Sequence, residues 1–218
     1  MQQTRLFADR TEAGIELGKR LANEYKDKQA IVLGIPRGGV QVAFEVAKIL
    51  NGSLSVIITK KLPHPLHEEL AVGAVAEDGA IYLSSLGKAL TESTVKRTVR
   101  AQRKEINSRI QRFRQNKPLP DMEGRIVIIV DDGIATGSTV VPAIKLCKNK
   151  NPAKVVVASP VSGEKYVSEI TSLADEVVIL EHPEYFSSVG QAYDDFHSLS
   201  DEEVIRFLED FEKHLQSA

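Results

Sequence analysis

Cysteine is almost absent from this chain of 218 residues: Cys147 stands alone. A lone thiol rules out an intrachain disulfide and any zinc site built from several cysteines, and it suits a reducing, cytoplasmic compartment. Long apolar runs are missing too. The opening MQQTRLFADRTEAG lacks the apolar centre of a signal peptide, and no run of about 18 apolar residues occurs, so neither a leader nor a membrane partner is expected. Charge of one sign is not in excess: a formal net charge of −2 gives no ground for a dedicated nucleic-acid binder. There is no internal repeat, low-complexity tract or linker-like stretch. A chain of this length can bury a sizeable core, so a single domain over 1–218 is expected.

What the chain does have is a βα rhythm. Short runs rich in valine and isoleucine recur at Ala30 to Ile35, Val56 to Thr59, Ile126 to Val130, Val155 to Ala158 and Val177 to Leu180. Such runs, without polar alternation, read as strands covered on both faces, hence an α/β fold with a central parallel sheet flanked by helices. Asp9 and Glu12 form a capping-box-like pair ahead of Ile15, Leu17 and Leu21, which predicts an opening amphipathic helix. Residues 38–50 and 138–150 each follow a strand through a glycine-containing turn and predict helices. Two insertions interrupt the rhythm. Residues 61–84 carry Pro63, Pro65 and a hairpin-like turn at Glu77–Asp78–Gly79, and a long helix is expected over about 91–115; a last helix is expected from near Ser200.

The most informative stretch is VIIVDDGIATGST, residues 127–139. In an open parallel sheet ligands bind beyond the carboxyl ends of strands, and Asp131 and Asp132 stand at such an end. Adjacent carboxylates repel unless sugar hydroxyls, magnesium or its waters share their lone pairs. The small residues Ala135, Thr136, Gly137, Ser138 and Thr139 then lead into a helix, where backbone N–H groups and the helix terminus favour an anion. A ribose 5-phosphate meets both demands. A Walker A loop would need a lysine this stretch lacks, and a phosphatase aspartate motif would need its two acids separated by one residue. A plain strand-ending turn is the bland alternative.

This stretch resembles the PRPP-binding motif of type I phosphoribosyltransferases, PRPP being 5-phosphoribosyl 1-pyrophosphate, and other segments fit that family in order. The resemblance implies the type I phosphoribosyltransferase fold, with a flexible loop insertion (about 61–84) and a small C-terminal hood (about 181–200). It implies phosphoribosyl transfer between PRPP and a small-molecule nitrogenous base, assisted by Mg2+ at Asp131 and Asp132 through water or ribose. Members of the family commonly form homodimers. GIPRGGV, residues 34–40, falls at the family's pyrophosphate loop: Pro36, Arg37, Gly38 and Gly39 would hold pyrophosphate, with Pro36–Arg37 the candidate for the unusual cis peptide. Lys60 and Lys61, at the end of the second core strand, would face pyrophosphate, either one making the contact. They and the two aspartates are the catalytic candidates, and residues 62–80 would be the flexible catalytic loop. In the hood segment EHPEYFSSVGQAYDDFH, Tyr185 or Phe186 could stack on the acceptor base, or both could pack the hood onto the sheet.

One position narrows the acceptor. Enzymes of this family acting on 6-oxopurines carry an aspartate three residues beyond the second acid; here Ala135 stands there. The DDxxATG form is closer to the adenine and uracil branches. The whole pattern, with AVGAVAEDG at 71–79 and DFHSLSDEEV at 195–204, most resembles predicted bacterial phosphoribosyltransferases of unassigned acceptor. Lys96, Arg97, Arg100, Arg103, Lys104, Arg109, Arg112, Arg114 and Lys117 meet only one acid, Glu105, over 96–117. That run reads as a solvated helix face, as an anion-attracting rim near pyrophosphate, or as an RNA-binding surface of a PRPP-sensing regulator.

Overall fold

Valine and isoleucine pack well on a pleated surface, and here they fill a central sheet of five parallel strands. The computed structural model describes residues 6–163 and 170–217. In chain order the sheet is built from β1 (Ile31–Gly34), β2 (Ser53–Val56), β6 (Ile126–Val130), β7 (Lys154–Val161) and β8 (Glu176–Glu181), arranged β2-β1-β6-β7-β8. Alternate residues leave on opposite faces. Val32, Ile128, Val130, Val156 and Ala158 pack beneath α1 (Arg10–Tyr25) and α2 (Gly38–Leu50), together with Phe211 of the last helix, α6 (Asp201–Ser217). Ile31, Leu33, Val127, Ile129, Val155 and Val157 face α5 (Val140–Lys148). The sheet is thus buried on both sides.

The register positions the site. Gly34 at the end of β1 pairs with Val130 at the end of β6, and Val130 pairs with Ala158 of β7. From β1 the chain winds outward to β2, and from β6 it winds the other way to β7. The crevice between the ends of β1 and β6 is therefore a topological switch point, where open α/β sheets bind ligands.

The opening helix forms as expected. Asp9 Oδ1 accepts the Glu12 backbone N–H at 2.8 Å, while Glu12 Oε2 reaches back to the Ala8 N–H at 2.5 Å. Two expectations need correction. The run Val56 to Thr59 is no single strand: Val56 closes β2, Ile57 and Ile58 are buried in the connection, and Thr59 opens a new strand. Lys60 and Lys61 consequently lie not on the core sheet but on β3 (Thr59–His64) of a second, antiparallel sheet, completed by β4 (His67–Ala76) and β5 (Ile81–Leu83). The insertion stands where the sequence puts it, yet much of it is strand. Its own apolar residues explain this: Leu62, Val72 and Val75 are buried against Ile106 and Phe113 of α4 (Glu92–Arg114), with Val40 and Val204 in the same cluster.

The Glu77–Asp78–Gly79 turn closes this flap, with Gly79 at φ +97°. Glu77 forms an ion pair with Arg114, both side chains being nearly enclosed. Arg114 also donates to the Val56 carbonyl at 3.3 Å, so one guanidinium ties flap, helix and core sheet together. Burial raises the Glu77 carboxyl above its usual value even though the Arg114 charge opposes it. The short helix α3 (Ser85–Lys88) links the flap to α4.

Candidate functional site

Asp131 and Asp132 follow β6 directly and lie against the loop that follows β1. The two loops touch because glycines let them. A β-carbon on Gly38 would sit 1.8 Å from Asp132 Oδ2, and one on Gly39 would sit 2.7 Å from the Val130 carbonyl oxygen. The peptide between Pro36 and Arg37 is cis, at the position the family resemblance implies.

The two acids have unequal surroundings. Asp132 Oδ2 accepts from Arg10 Nε at 2.7 Å, in a pair whose side chains are only 5% and 14% exposed. Among the described residues Asp131 is paired with no arginine; its Oδ1 accepts the Asp132 backbone N–H at 3.0 Å, and the Asp132 side chain lies against it. Burial therefore lifts the Asp131 carboxyl well above the usual carboxylate range; the charge of Asp132 adds to the rise, and Lys61 draws it back. A site that raises one carboxylate of a pair in this way favours a cation or hydroxyl donors beside it.

Arg10 was not singled out by sequence reasoning. It is a single arginine at the start of α1, far along the chain from everything it touches. Besides Asp132, it donates to the His197 carbonyl oxygen at 2.9 Å and lies 3.9 Å over the Phe196 ring. Tyr193 joins the same contact by donating to the Asp132 carbonyl oxygen at 2.5 Å, and its ring stacks on Phe196. Gly133 is packed so closely on Val189 that a β-carbon would come 2.3 Å from it. The hood is therefore fastened onto the aspartate loop itself.

In the turn before α5, Gly137 has φ +66° and its carbonyl accepts from Val140 and Val141 at 3.1 and 3.0 Å, which starts the helix. The Thr136 and Ser138 hydroxyls are hydrogen-bonded to each other at 2.9 Å. Thr139, at the helix N-cap, makes no side-chain capping bond. Ala135 is half-buried between Ile134 and this turn.

A cavity of about 450 Å³ lies between the flap, α4 and the segments that carry Pro36 and Thr139. Pro36 and Thr139 line it from the core sheet's loops, Thr59, Lys60 and Lys61 from the flap, and Gln102 and Arg109 from α4. Both lysines thus share one cavity with Thr139 despite their different strand. Arg37 is directed elsewhere: its guanidinium is 3.8 Å from Asp201 at the start of α6, which also pairs with Arg112 at 2.5 Å. Tyr185 is 77% exposed, and Phe186 is half-buried against the hood cluster of Phe7, Ala192 and Tyr193. Neither is among the residues lining this cavity.

The basic run on α4 resolves into separate tasks. Arg114 clamps the flap, Arg112 holds α6, Lys96 pairs with Glu92 at 2.5 Å, and Arg109 lines the cavity. Helical spacing alone could have placed Gln102, Glu105 and Arg109 on one face, but nothing in the sequence said which face meets the site.

A family model described as the phosphoribosyl transferase domain matches residues 7–196, most of the chain. The chain belongs to the phosphoribosyl transferase domain family. It is 43% identical over 208 residues to a Mycobacterium tuberculosis protein named "Putative phosphoribosyl transferase MT0597", covering 94% of this chain and 47% of that one. The chain thus spans about half the length of the curated relatives it matches. Among solved structures, TT1426 from Thermus thermophilus superposes with a TM-score of 0.81 at 38% identity, covering 94% of this chain and 99% of the other. A hypoxanthine phosphoribosyltransferase from Staphylococcus aureus, at 14% identity and TM-score 0.50 over 92% of each chain, shares the fold. Among the described residues of this phosphoribosyl transferase domain, no helix is long and apolar enough to cross a membrane.

Proposed function

We propose that the domain is a single catalytic unit that binds PRPP and transfers its phosphoribosyl group to a nitrogenous base, or runs the reverse reaction. One observation carries this reading: the adjacent acids stand at the switch point against Gly38 and Gly39, and beside them a cavity lined by Pro36 also collects Thr139, Lys60, Lys61 and Arg109. A ligand bearing a diol between two phosphoryl groups matches that order of acid, hydroxyl-rich turn and cations.

In this reading the 5-phosphate rests on residues 135–139, the ribose hydroxyls meet Asp131 and Asp132, and the pyrophosphate lies between Pro36–Gly39 and the two lysines. Arg37 would contribute through its backbone, since its guanidinium faces Asp201. Among the described residues no group of three or more His, Cys, Asp or Glu forms a protein metal cage. A magnesium ion held by one or two carboxylates, waters and substrate oxygens fits this donor set, with Asp131 the freer acid. When bound it would supply charge neutralisation for the leaving pyrophosphate. The chain's own part is to fix the ribose against the acids, present Lys60 and Arg109 where negative charge grows on pyrophosphate, and hold the Gly38–Gly39 backbone close.

The acceptor enters from the hood side. Ala135 in place of an aspartate favours a base other than a 6-oxopurine, and Phe186 is better placed by its packing as a hood support than as a stacking platform. The test is pyrophosphate release from PRPP with Mg2+ across purine, pyrimidine and pyridine bases. Release dependent on one base is expected. Absence of base-dependent release from folded protein, with PRPP still bound, would replace transfer with PRPP sensing.

A further inference from the structure

Three cations reach the cavity described above, and two of them are already engaged. Lys60 Nζ pairs with Glu105 Oε1, and Arg109 Nη2 approaches the same oxygen at 3.5 Å. The cations come from different elements, a flap strand and α4, yet converge on one carboxylate oxygen. Their side chains are 21% and 23% exposed, whereas Glu105 is 48% exposed and free to swing outward. Thr59 lines the same cavity, and its hydroxyl is buried without a hydrogen-bond partner, in a residue only 7% exposed. A buried hydroxyl without a partner calls for an explanation, and beside Lys60, Lys61 and Arg109 it can donate to an anion.

We propose that Glu105 is an internal stand-in for pyrophosphate: its carboxylate gathers Lys60 and Arg109, yields them to the diphosphate, and takes them back as the product leaves. Lys60, Lys61 and Arg109 around one cavity repel one another; Glu69 also lines that cavity, but Glu105 is the carboxylate paired with both Lys60 and Arg109, and it keeps these two donors together. It also competes. The diphosphate must displace two ion pairs to reach its donors, which weakens pyrophosphate binding and favours its release. Glu105 is a positioning residue in this scheme, and Arg109 is a pyrophosphate ligand supplied by the helix. The inference rests on the PRPP reading of the site.

The test is calorimetric titration of inorganic pyrophosphate with Mg2+ into the wild type, Glu105→Gln, Arg109→Met, Lys60→Met and the double variants pairing Glu105→Gln with each. Glu105→Gln should bind pyrophosphate about two- to tenfold more tightly, the range for two partly exposed ion pairs. Arg109→Met should bind about tenfold more weakly. In the Lys60→Met and Arg109→Met backgrounds the gain from Glu105→Gln should shrink, a coupling that a merely structural glutamate would not show. In turnover assays Glu105→Gln should lower both KM for PRPP and kcat. Glu105 lies on an exposed helix face, and thermal unfolding of each variant checks that it is folded. Wild-type binding with no tightening in folded Glu105→Gln would overturn the stand-in while sparing the PRPP reading. Failure of the wild type to bind either pyrophosphate or PRPP would overturn that reading, and this inference with it.

Discussion

The floor and the wall of the site are held by different forces. The floor, at the ends of β1 and β6, is fixed by burial: Arg10 is enclosed between Asp132, Phe196 and the His197 carbonyl, and glycines bring two backbones into contact. The wall, made by the flap and α4, presents Lys60, Arg109 and Glu105 as partly exposed ion pairs that can exchange partners. The contrast assigns each side a role. In the proposed reaction a floor determined by packing would keep the ribose position constant, whereas a wall held by charge would release and recapture the leaving group.

The contrast would break most visibly at Arg10. Arg10→Met strands the buried Asp132 carboxylate and should destabilise the protein by about 3–5 kcal/mol in urea unfolding. Adding Asp132→Asn should recover part of that loss, because the uncompensated charge is gone. Loss of stability below about 1 kcal/mol would mean the floor is not locked as described. Next in size, Lys60→Ala with Lys61→Ala should weaken PRPP binding by roughly ten- to a hundredfold while shifting Tm little. A large fall in Tm would make the wall structural instead.

Asp131 sharpens the comparison from the opposite direction, because it is a floor residue whose carboxylate is buried beside a second one. Its carboxyl is raised above the unfolded value, so the native state holds the proton more tightly than the unfolded chain does. Stability is therefore lost as pH climbs from the ordinary carboxylate value through the raised one. Asp131→Asn should remove that loss, raising Tm by about 1 °C or more at neutral pH and by nothing in strong acid, while turnover falls. Equal Tm values at pH 7 would contradict it.

The smallest effect belongs far from the site. A hydrogen bond from Lys148 holds the Asp175 carboxyl below its usual value, aided by the Val155 backbone N–H at 2.7 Å. Its stabilisation is present above the ordinary carboxylate pKa and is lost as pH falls through the lowered one. With both side chains 39% exposed, Asp175→Asn should cost roughly 0.5 kcal/mol or less after solvent screening, an effect salt should weaken further.

The floor was far more legible in the sequence than the wall. Ile126 to Val130 reads as a strand because nothing in it tolerates water, and Asp131 and Asp132 follow without a gap. Gly38 and Gly39 announce a close approach, though only the structure shows that the neighbour is the aspartate loop. Lys60 and Lys61 were read on the wrong strand because Ile57 and Ile58 continue the apolar run through a connection where the backbone leaves one sheet for another. Strand periodicity cannot mark such a change of sheet. Arg10 left no local trace at all: its partners lie 122 and 187 residues away. Arg109 stood in plain view, but in a basic run where clamp, ion pair and ligand look alike until α4 is packed.

The central claim is that the acid pair and the cavity beside it together take PRPP. The most direct measurement is a calorimetric titration of PRPP with Mg2+ into the wild type and into the Asp131→Asn, Asp132→Asn double variant, with thermal unfolding to confirm both are folded. The account predicts saturable binding by the wild type and a loss of about tenfold or more in the double variant. Equal affinity in the two proteins would contradict it.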